Sequence, residues 1–239
     1  MKTERIEIAG ITTRVVERAA DPRLTVVLLH GFGAPGDDLV ALGQYIAAPV
    51  RFVFPEAPIE LGGLYGDSRA WWRLDLARLE EDLRTGKIHD RRAEVPEGLD
   101  AVRGQMMQFL DDVHERFALD TKQLALGGFS QGAMLALDIA LHREVPPAAL
   151  VLMSGTLLAE PVWQPRMPRL SGMPVFQSHG LHDALLPFSI AELLRDELRG
   201  AGAKVDWCAF HGGHEIPPAV LDGVGTLLAA TGSTRIPGT

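Results

Sequence analysis

The stretch Gly127-Gly128-Phe129-Ser130-Gln131-Gly132-Ala133 decides how the rest of the chain is read. It stands between an apolar run at 123–127, which suits a strand, and an apolar stretch at 131–142, which suits a helix. Within it lies G-x-S-x-G, at Gly128, Ser130 and Gly132. A serine at a sharp strand-to-helix turn is held in a strained backbone conformation. Side chains two residues to either side would strike the neighbouring strand and helix. The turn also aims the helix N-terminus at the reacting centre, which favours a developing negative charge. The pattern is short, and a glycine-rich turn with an idle serine has the same letters. Its place between strand and helix argues for Ser130 as a nucleophile.

The alternation of strand and helix extends in both directions. Residues 24–30 and 50–54 upstream, and 149–153, 174–178 and 205–210 downstream, are short apolar runs suited to strands buried on both faces. Helical patterns separate them at 37–47, 98–117, 190–199 and 215–230. In the second of these Val102, Met106, Phe109, Val113 and Phe117 make one apolar stripe. Residues 4–18 divide at Ala9-Gly10 into an opening hairpin. The order predicts an α/β protein, with a mostly parallel central sheet and helices on both faces. A single domain is expected over 1–231, followed by a loose tail at 232–239. Residues 73–97 stand apart, dense in charge, with Leu76, Leu79 and Leu83 at helical spacing. They read as a solvated surface helix with a loop or, more sharply, as a partial cap over the site.

Composition narrows the partners. Lys and Arg total 23 against 31 Asp and Glu, a net charge of −8, which argues against a broad phosphate-binding surface and so against nucleic acid. The single cysteine, Cys208, sits mid-strand beside Trp207 and reads as a small buried hydrophobe rather than a nucleophile. One cysteine fits a reducing compartment. The opening MKTERIEIAG carries charge where a signal peptide needs its apolar core. No apolar run approaches the roughly 18 residues of a membrane span. A cytoplasmic protein without stable membrane insertion is expected.

A nucleophilic serine needs a base, and the base needs an orienting acid. The partners of this motif follow in the order serine, acid, histidine. Ser178-His179-Gly180-Leu181-His182-Asp183 follows one apolar strand, and His211-Gly212-Gly213-His214-Glu215 follows the last. Catalytic groups of α/β sheets gather at that carboxyl edge, so Ser130, Asp183 and His214 can converge there. Asp206 opens a strand at the wrong end, and Asp138 lies two turns down the helix after Ser130. His211 is the rival to His214, which has two glycines before it to permit a sharp turn. His179 and His182 read as structural or pocket-wall residues. His89, His114 and His142 lie in charged, exposed contexts. The pairs His179/His182 and His211/His214 raise a metal reading, but no Cys or tight acidic cluster joins them, so neither metal nor cofactor is expected.

A second glycine pattern, Gly31-Phe32-Gly33-Ala34-Pro35-Gly36, follows the strand at 24–30 and mimics a dinucleotide fingerprint. Glu56 even stands near where a ribose-binding acid belongs, about 20 residues on. Asp37 and Asp38, however, occupy the place where a pyrophosphate would sit on the helix N-terminus. The glycines instead free the backbone around Phe32, so the N–H groups of Phe32 and Gln131 form an oxyanion hole.

Together these pieces resemble the carboxylesterase/phospholipase family of α/β-hydrolases, which includes acyl-protein thioesterases. The resemblance spans about 24–228. It rests on Leu29-His-Gly-Phe-Gly33, Phe54-Pro-Glu-Ala-Pro58, Arg69-Ala-Trp-Trp72, Gly128-Phe-Ser-Gln-Gly-Ala133, His179-Gly-Leu-His-Asp183 with Pro187, and Gly212-Gly-His214. It implies an α/β-hydrolase fold, with Ser130 as nucleophile, Asp183 as acid, His214 as base and the Trp71 region near the acyl pocket. A serine hydrolase of short- to medium-chain carboxylic esters is expected, with Trp71, Trp72, Leu185 and Leu186 as its apolar wall. The alternatives are a thioesterase or lysophospholipase for longer chains and, from another class, a ligand-binding pseudohydrolase. Residues 74–97 look longer and more charged than in the thioesterases, so their preference is not carried over. The partner expected is a small-molecule ester. The resemblance allows a homodimer, which no residue pattern here demonstrates.

Overall fold

The computed structural model describes residues 2–62, 66–85, 90 and 92–233, leaving aside also the side chains of residues 79, 82 and 83. The opening hairpin pairs β1 (Lys2–Ile8) antiparallel with β2 (Ile11–Glu17). Its turn is possible because Ala9 and Gly10 both take positive φ, at 50° and 72°. Then β2 pairs antiparallel with β4 (Arg51–Pro55). From there the sheet is parallel, through β3 (Thr25–Leu29), β7 (Leu124–Phe129), β8 (Leu150–Met153), β9 (Pro174–Gly180) and β10 (Lys204–Phe210). The strand order is β1-β2-β4-β3-β7-β8-β9-β10. A separate short ladder joins β5 (Ile59–Glu60) to β6 (Arg69–Ala70).

The continuous apolar run of β3 is explained by cover on both faces. Val27 and Leu29 enter one buried cluster with α3 (Leu99–Arg116), α4 (Gln131–His142) and α6 (Phe188–Gly200). Val26 and Leu28 enter the opposite cluster with α7 (Pro218–Ser233). Neighbouring residues of one strand thus feed two cores, as the two-residue period requires. Helix α4 is buried at every position from Gln131 to Leu141, so it is apolar nearly all round. Its one acid, Asp138, is held by Arg103 Nε at 2.6 Å and by the Trp163 indole N–H at 2.8 Å. This ties α4 to α3 and to α5 (Glu160–Trp163), which continues into a 3-10 turn, Gln164–Leu170. Among the described residues no helix is long and apolar enough to cross a membrane.

Several expectations change. Residues 37–47 do not make one helix but a 3-10 turn, Asp38–Ala41, and a single turn, α1 (Leu42–Tyr45). Gly43 packs here against Val16, Phe52 and Phe54, and a Cβ would already stand 3.4 Å from Val16. Beyond it Ile46 turns extended and is buried. Gly225 of α7 comes close to the backbone of Ala47, so the last helix covers what a longer first helix would. The strands β7 and β9 run two residues further than expected. His142 is not exposed: its Nδ1 lies 2.7 Å from the Asp138 carbonyl, and the side chain is mostly buried. His114 is half-buried. His89, most of the expected tail and the Leu79 and Leu83 side chains lie outside the described residues; α2 (Leu76–Thr85) does form.

Candidate active site

Ser130 sits between β7 and α4 with φ 54° and ψ −118°, a conformation that a non-glycine residue holds only where the surroundings enforce it. Its N–H donates to the Met153 carbonyl, and its own carbonyl accepts from Ala133 and Met134 at 3.0 and 3.1 Å. The flanking glycines are obligatory by contact. A Cβ on Gly132 would lie 2.1 Å from the Leu29 carbonyl oxygen, and one on Gly128 would lie 2.5 Å from the same atom. Strand β3 and helix α4 therefore touch through backbone at this turn. Among the described residues, the Ser130 hydroxyl makes no hydrogen bond.

Asp183 and His214 stand in the loops beyond β9 and β10. These loops are fastened to each other: Leu181 N–H donates to Phe210 O and His182 N–H to Gly212 O, both at 2.9 Å. The approach is so close that a Cβ on Gly180 would strike the Gly213 carbonyl. Asp183 Oδ1 accepts from the N–H groups of Leu185 and Leu186, and Oδ2 lies 2.6 Å from His214 Nδ1. Burial alone would push this carboxyl up. The bonds from His214, Leu186 and Leu185 outweigh it and hold the group below its ordinary value. A carboxylate only accepts, so His214 turns an Nδ1–H toward it, and in the neutral imidazole the lone pair then lies on Nε2. The His214 ring rests 4.8 Å from that of Phe129.

His211 makes no such bond. It is exposed, with its ring 6.2 Å from that of His182. His179 is fully buried beneath the acid, its Nε2 2.8 Å from Leu186 O and 3.3 Å from Asp183 Oδ2. Burial lowers its pKa, with the bond to Leu186 partly opposing. Among the described residues no group of three His, Cys, Asp or Glu is placed to hold a metal ion.

A cleft of about 700 Å³ opens over Ser130 and His214. Phe32 and Gln131 line it, and among the described residues neither of their N–H groups has an acceptor. Trp72, Leu185 and Leu186 are on its wall, joined by Met134, Leu157, Leu158 and Ile190. Part of the lining is charged, with Arg73, Asp75, Arg78 and Arg92. It is anchored by an Arg78–Glu94 ion pair at 2.9 Å and by backbone bonds from Ala159 N–H to Glu94 O and Glu160 N–H to Arg92 O. Parts of residues 73–97 thus form one wall of the cleft.

Trp71 is the correction. It does not reach the cleft: it is buried, its indole N–H donating to His30 O at 2.8 Å and its backbone N–H to Gln131 Oε1 at 2.9 Å. The Gln131 amide in turn donates to Trp72 O. The chain bends just after β6 at these two residues, and of the pair only Trp72 lines the cleft. The third glycine of the upstream loop, Gly36, makes room for Glu56: a Cβ there would lie 2.1 Å from its Cγ. Glu56 pairs with Arg69 at 3.4 Å. With Asp37 and Asp38 beside it, this loop offers no seat for a pyrophosphate. Cys208 is half-buried on the edge strand β10, and burial raises its thiol pKa, which suits an inert residue. Leu157 and Leu158 went unnoticed in the sequence, although they follow β8 at the same carboxyl edge as the other site residues.

Residues 11–231 match the phospholipase/carboxylesterase family, and the chain belongs to it. This is a family of hydrolases with the α/β-hydrolase fold. Among relatives, acyl-protein thioesterase 1 of Eremothecium gossypii is 25% identical over 219 residues, covering 87% of this chain and 88% of the relative. Among solved structures, esterase PE8 superposes with a TM-score of 0.76 at 28% identity, covering 97% of this chain and all of the other. A carboxylesterase from Mesorhizobium loti, at 20% identity and TM-score 0.75 over 96% of this chain and 99% of its own, shares the fold.

Proposed function

We propose that this protein is a serine carboxylic-ester hydrolase whose triad is Ser130, His214 and Asp183. The observation that carries the reading is the 2.6 Å Asp183–His214 bond beside a strained Ser130 on one cleft. His214 Nε2 takes the hydroxyl proton as Ser130 Oγ attacks the acyl carbon, and the carbonyl oxygen becomes an oxyanion bound by the N–H groups of Phe32 and Gln131. His214 then passes that proton to the departing alkoxide, and the acyl group stays on Ser130. Water repeats the sequence, releasing the acid and restoring the serine. Apo catalytic hydrogen bonds are often long and tighten only with substrate, which is consistent with a Ser130 hydroxyl that makes no hydrogen bond among the described residues.

The apolar wall of Trp72, Leu186 and Ile190 supports a short- to medium-chain acyl group. A longer-chain thioesterase or lysophospholipase is favoured instead by the size of the cleft and by the thioesterase relatives. A series of nitrophenyl esters and matched thioesters of increasing chain length separates the two. The central test is covalent labelling by a fluorophosphonate, expected in the wild type and abolished in Ser130→Ala. A wild type that neither labels nor turns over any ester refutes the reading. A cytoplasmic location and a small-molecule ester as substrate complete the proposal.

A further inference from the structure

The two N–H groups assigned to the oxyanion hole share a construction that the sequence does not reveal. Each belongs to a planar peptide unit whose carbonyl, at the opposite end, is clamped. In the Ser130–Gln131 unit the carbonyl accepts from Ala133 and Met134 as the first bonds of α4. In the Gly31–Phe32 unit the clamp is a side chain. His30 Nδ1 lies 2.8 Å from Gly31 O, while His30 Nε2 accepts the Ala57 N–H at 3.0 Å. The second bond fixes the tautomer: an Nε2 that accepts leaves the proton on Nδ1, to be donated to Gly31 O. The ring is buried, and burial keeps its pKa below the ordinary histidine value. The main chain of His30 is held as well, by the Trp71 indole N–H on its carbonyl, with the two rings 5.3 Å apart.

We propose that His30 is a positioning residue of the oxyanion hole. Its neutral imidazole orients the Gly31–Phe32 peptide so that the Phe32 N–H faces the reacting oxygen, and Trp71 locks His30 in place. Through its backbone N–H on Gln131 Oε1, Trp71 also joins this loop to the residue that supplies the second donor. The inference rests on the serine-hydrolase reading of the site. It concerns the transition state rather than substrate capture, because the oxyanion exists only there.

The test is His30→Phe, which keeps a ring and loses both nitrogens, and Trp71→Phe, which keeps an aromatic ring but loses the indole N–H together with part of the buried bicycle. Each is assayed with a short nitrophenyl ester and with an alkyl trifluoromethyl ketone, which forms a tetrahedral oxyanion on the serine. Loss of one oxyanion donor typically costs about 10²–10³-fold in kcat. His30→Phe should approach that loss, and Trp71→Phe should show a smaller one. KM should stay nearly constant, and ketone affinity should fall in proportion to kcat/KM. Folded variants that keep wild-type kcat, or lose it without losing ketone affinity, overturn the assignment while leaving the serine-hydrolase reading intact. A wild type without ester turnover overturns both. If neither variant folds, nitrogen-labelled histidine spectra of the wild type decide. A His30 protonated on Nε2 at neutral pH refutes the clamp, and one protonated on Nδ1 alone supports it.

Discussion

Asp183 Oδ2 and His214 Nδ1 stand 2.6 Å apart, a charge-assisted bond between the ends of two loops that are themselves fastened together. Replacing Asp183 by Asn turns an acceptor into a donor at that position. The imidazole is then driven to the tautomer with its proton on Nε2, which cannot accept from Ser130. The expected loss in kcat for Asp183→Asn is on the order of 10⁴-fold near neutral pH, with little change in melting temperature. Ester turnover alongside thermal unfolding checks this; a drop under tenfold would mean that another group orients the base.

Three buried groups in and around the cleft have folded pKa values below their ordinary ones: His30, His179 and Asp183. Such a group binds its proton less well folded than unfolded, so its contribution to stability is complete above its ordinary pKa and is lost as pH falls. For the two histidines the loss begins near 6.5, and for Asp183 near 3.8. Stability should fall as pH drops below about 7, with each histidine contributing at most about 1.4 kcal/mol per pH unit. Denaturant titrations from pH 7 down to 5 measure this slope. In His179→Phe the part that belongs to His179 should disappear, leaving a shallower slope.

Two glycines predict opposite signs. Gly132→Ala puts a Cβ 2.1 Å from a backbone oxygen of β3, so destabilisation should exceed the ~1–3 kcal/mol of an ordinary overpacked core. Gly104 lies exposed within α3, where an added Cβ meets nothing within 4 Å. Gly104→Ala should stabilise by about 0.5–1 kcal/mol while activity stays unchanged. Urea unfolding of the two variants tests both statements.

Asp138 is buried, with Arg103 and the Trp163 indole as its partners. Asp138→Ala strands a partly buried guanidinium and an indole N–H, which should cost roughly 3–5 kcal/mol. The lesion lies two turns down α4 from Ser130, so the protein that remains folded at low temperature should retain near wild-type kcat. Loss of kcat in a folded Asp138→Ala would give this acid a part in the site.

What the sequence made legible was local. Gly128, Ser130 and Gly132 sit on one turn, and Asp183 and His214 each follow a recognisable strand, so the carboxyl-edge rule was enough to bring them together. The choice of His214 over His211 rested on two glycines, and in the structure Asp183 bonds His214. What stayed hidden depends on long-range pairing. Trp71 and Gln131 are 60 positions apart, and no periodicity states that one indole turns inward while its neighbour Trp72 faces the cleft. The short α1 was missed for a similar reason: Gly43 is shaped by Val16, Phe52 and Phe54 on strands elsewhere in the chain. Likewise the charged surroundings of His142 hid its bond to a carbonyl one turn back along α4.

The charged wall of the cleft is joined to the rest through Glu94 and Arg92, by bonds to Ala159 and Glu160 beside α5. None of those bonds reaches Ser130, Asp183 or His214. The floor is the reverse, a place where backbone touches backbone and no methyl group can be added. Such a molecule has two separate rates of permissible change. The turn at Ser130 is frozen by sterics, while the rim of the cleft is free to vary, so the cleft can be reshaped on this scaffold without disturbing the turn beneath.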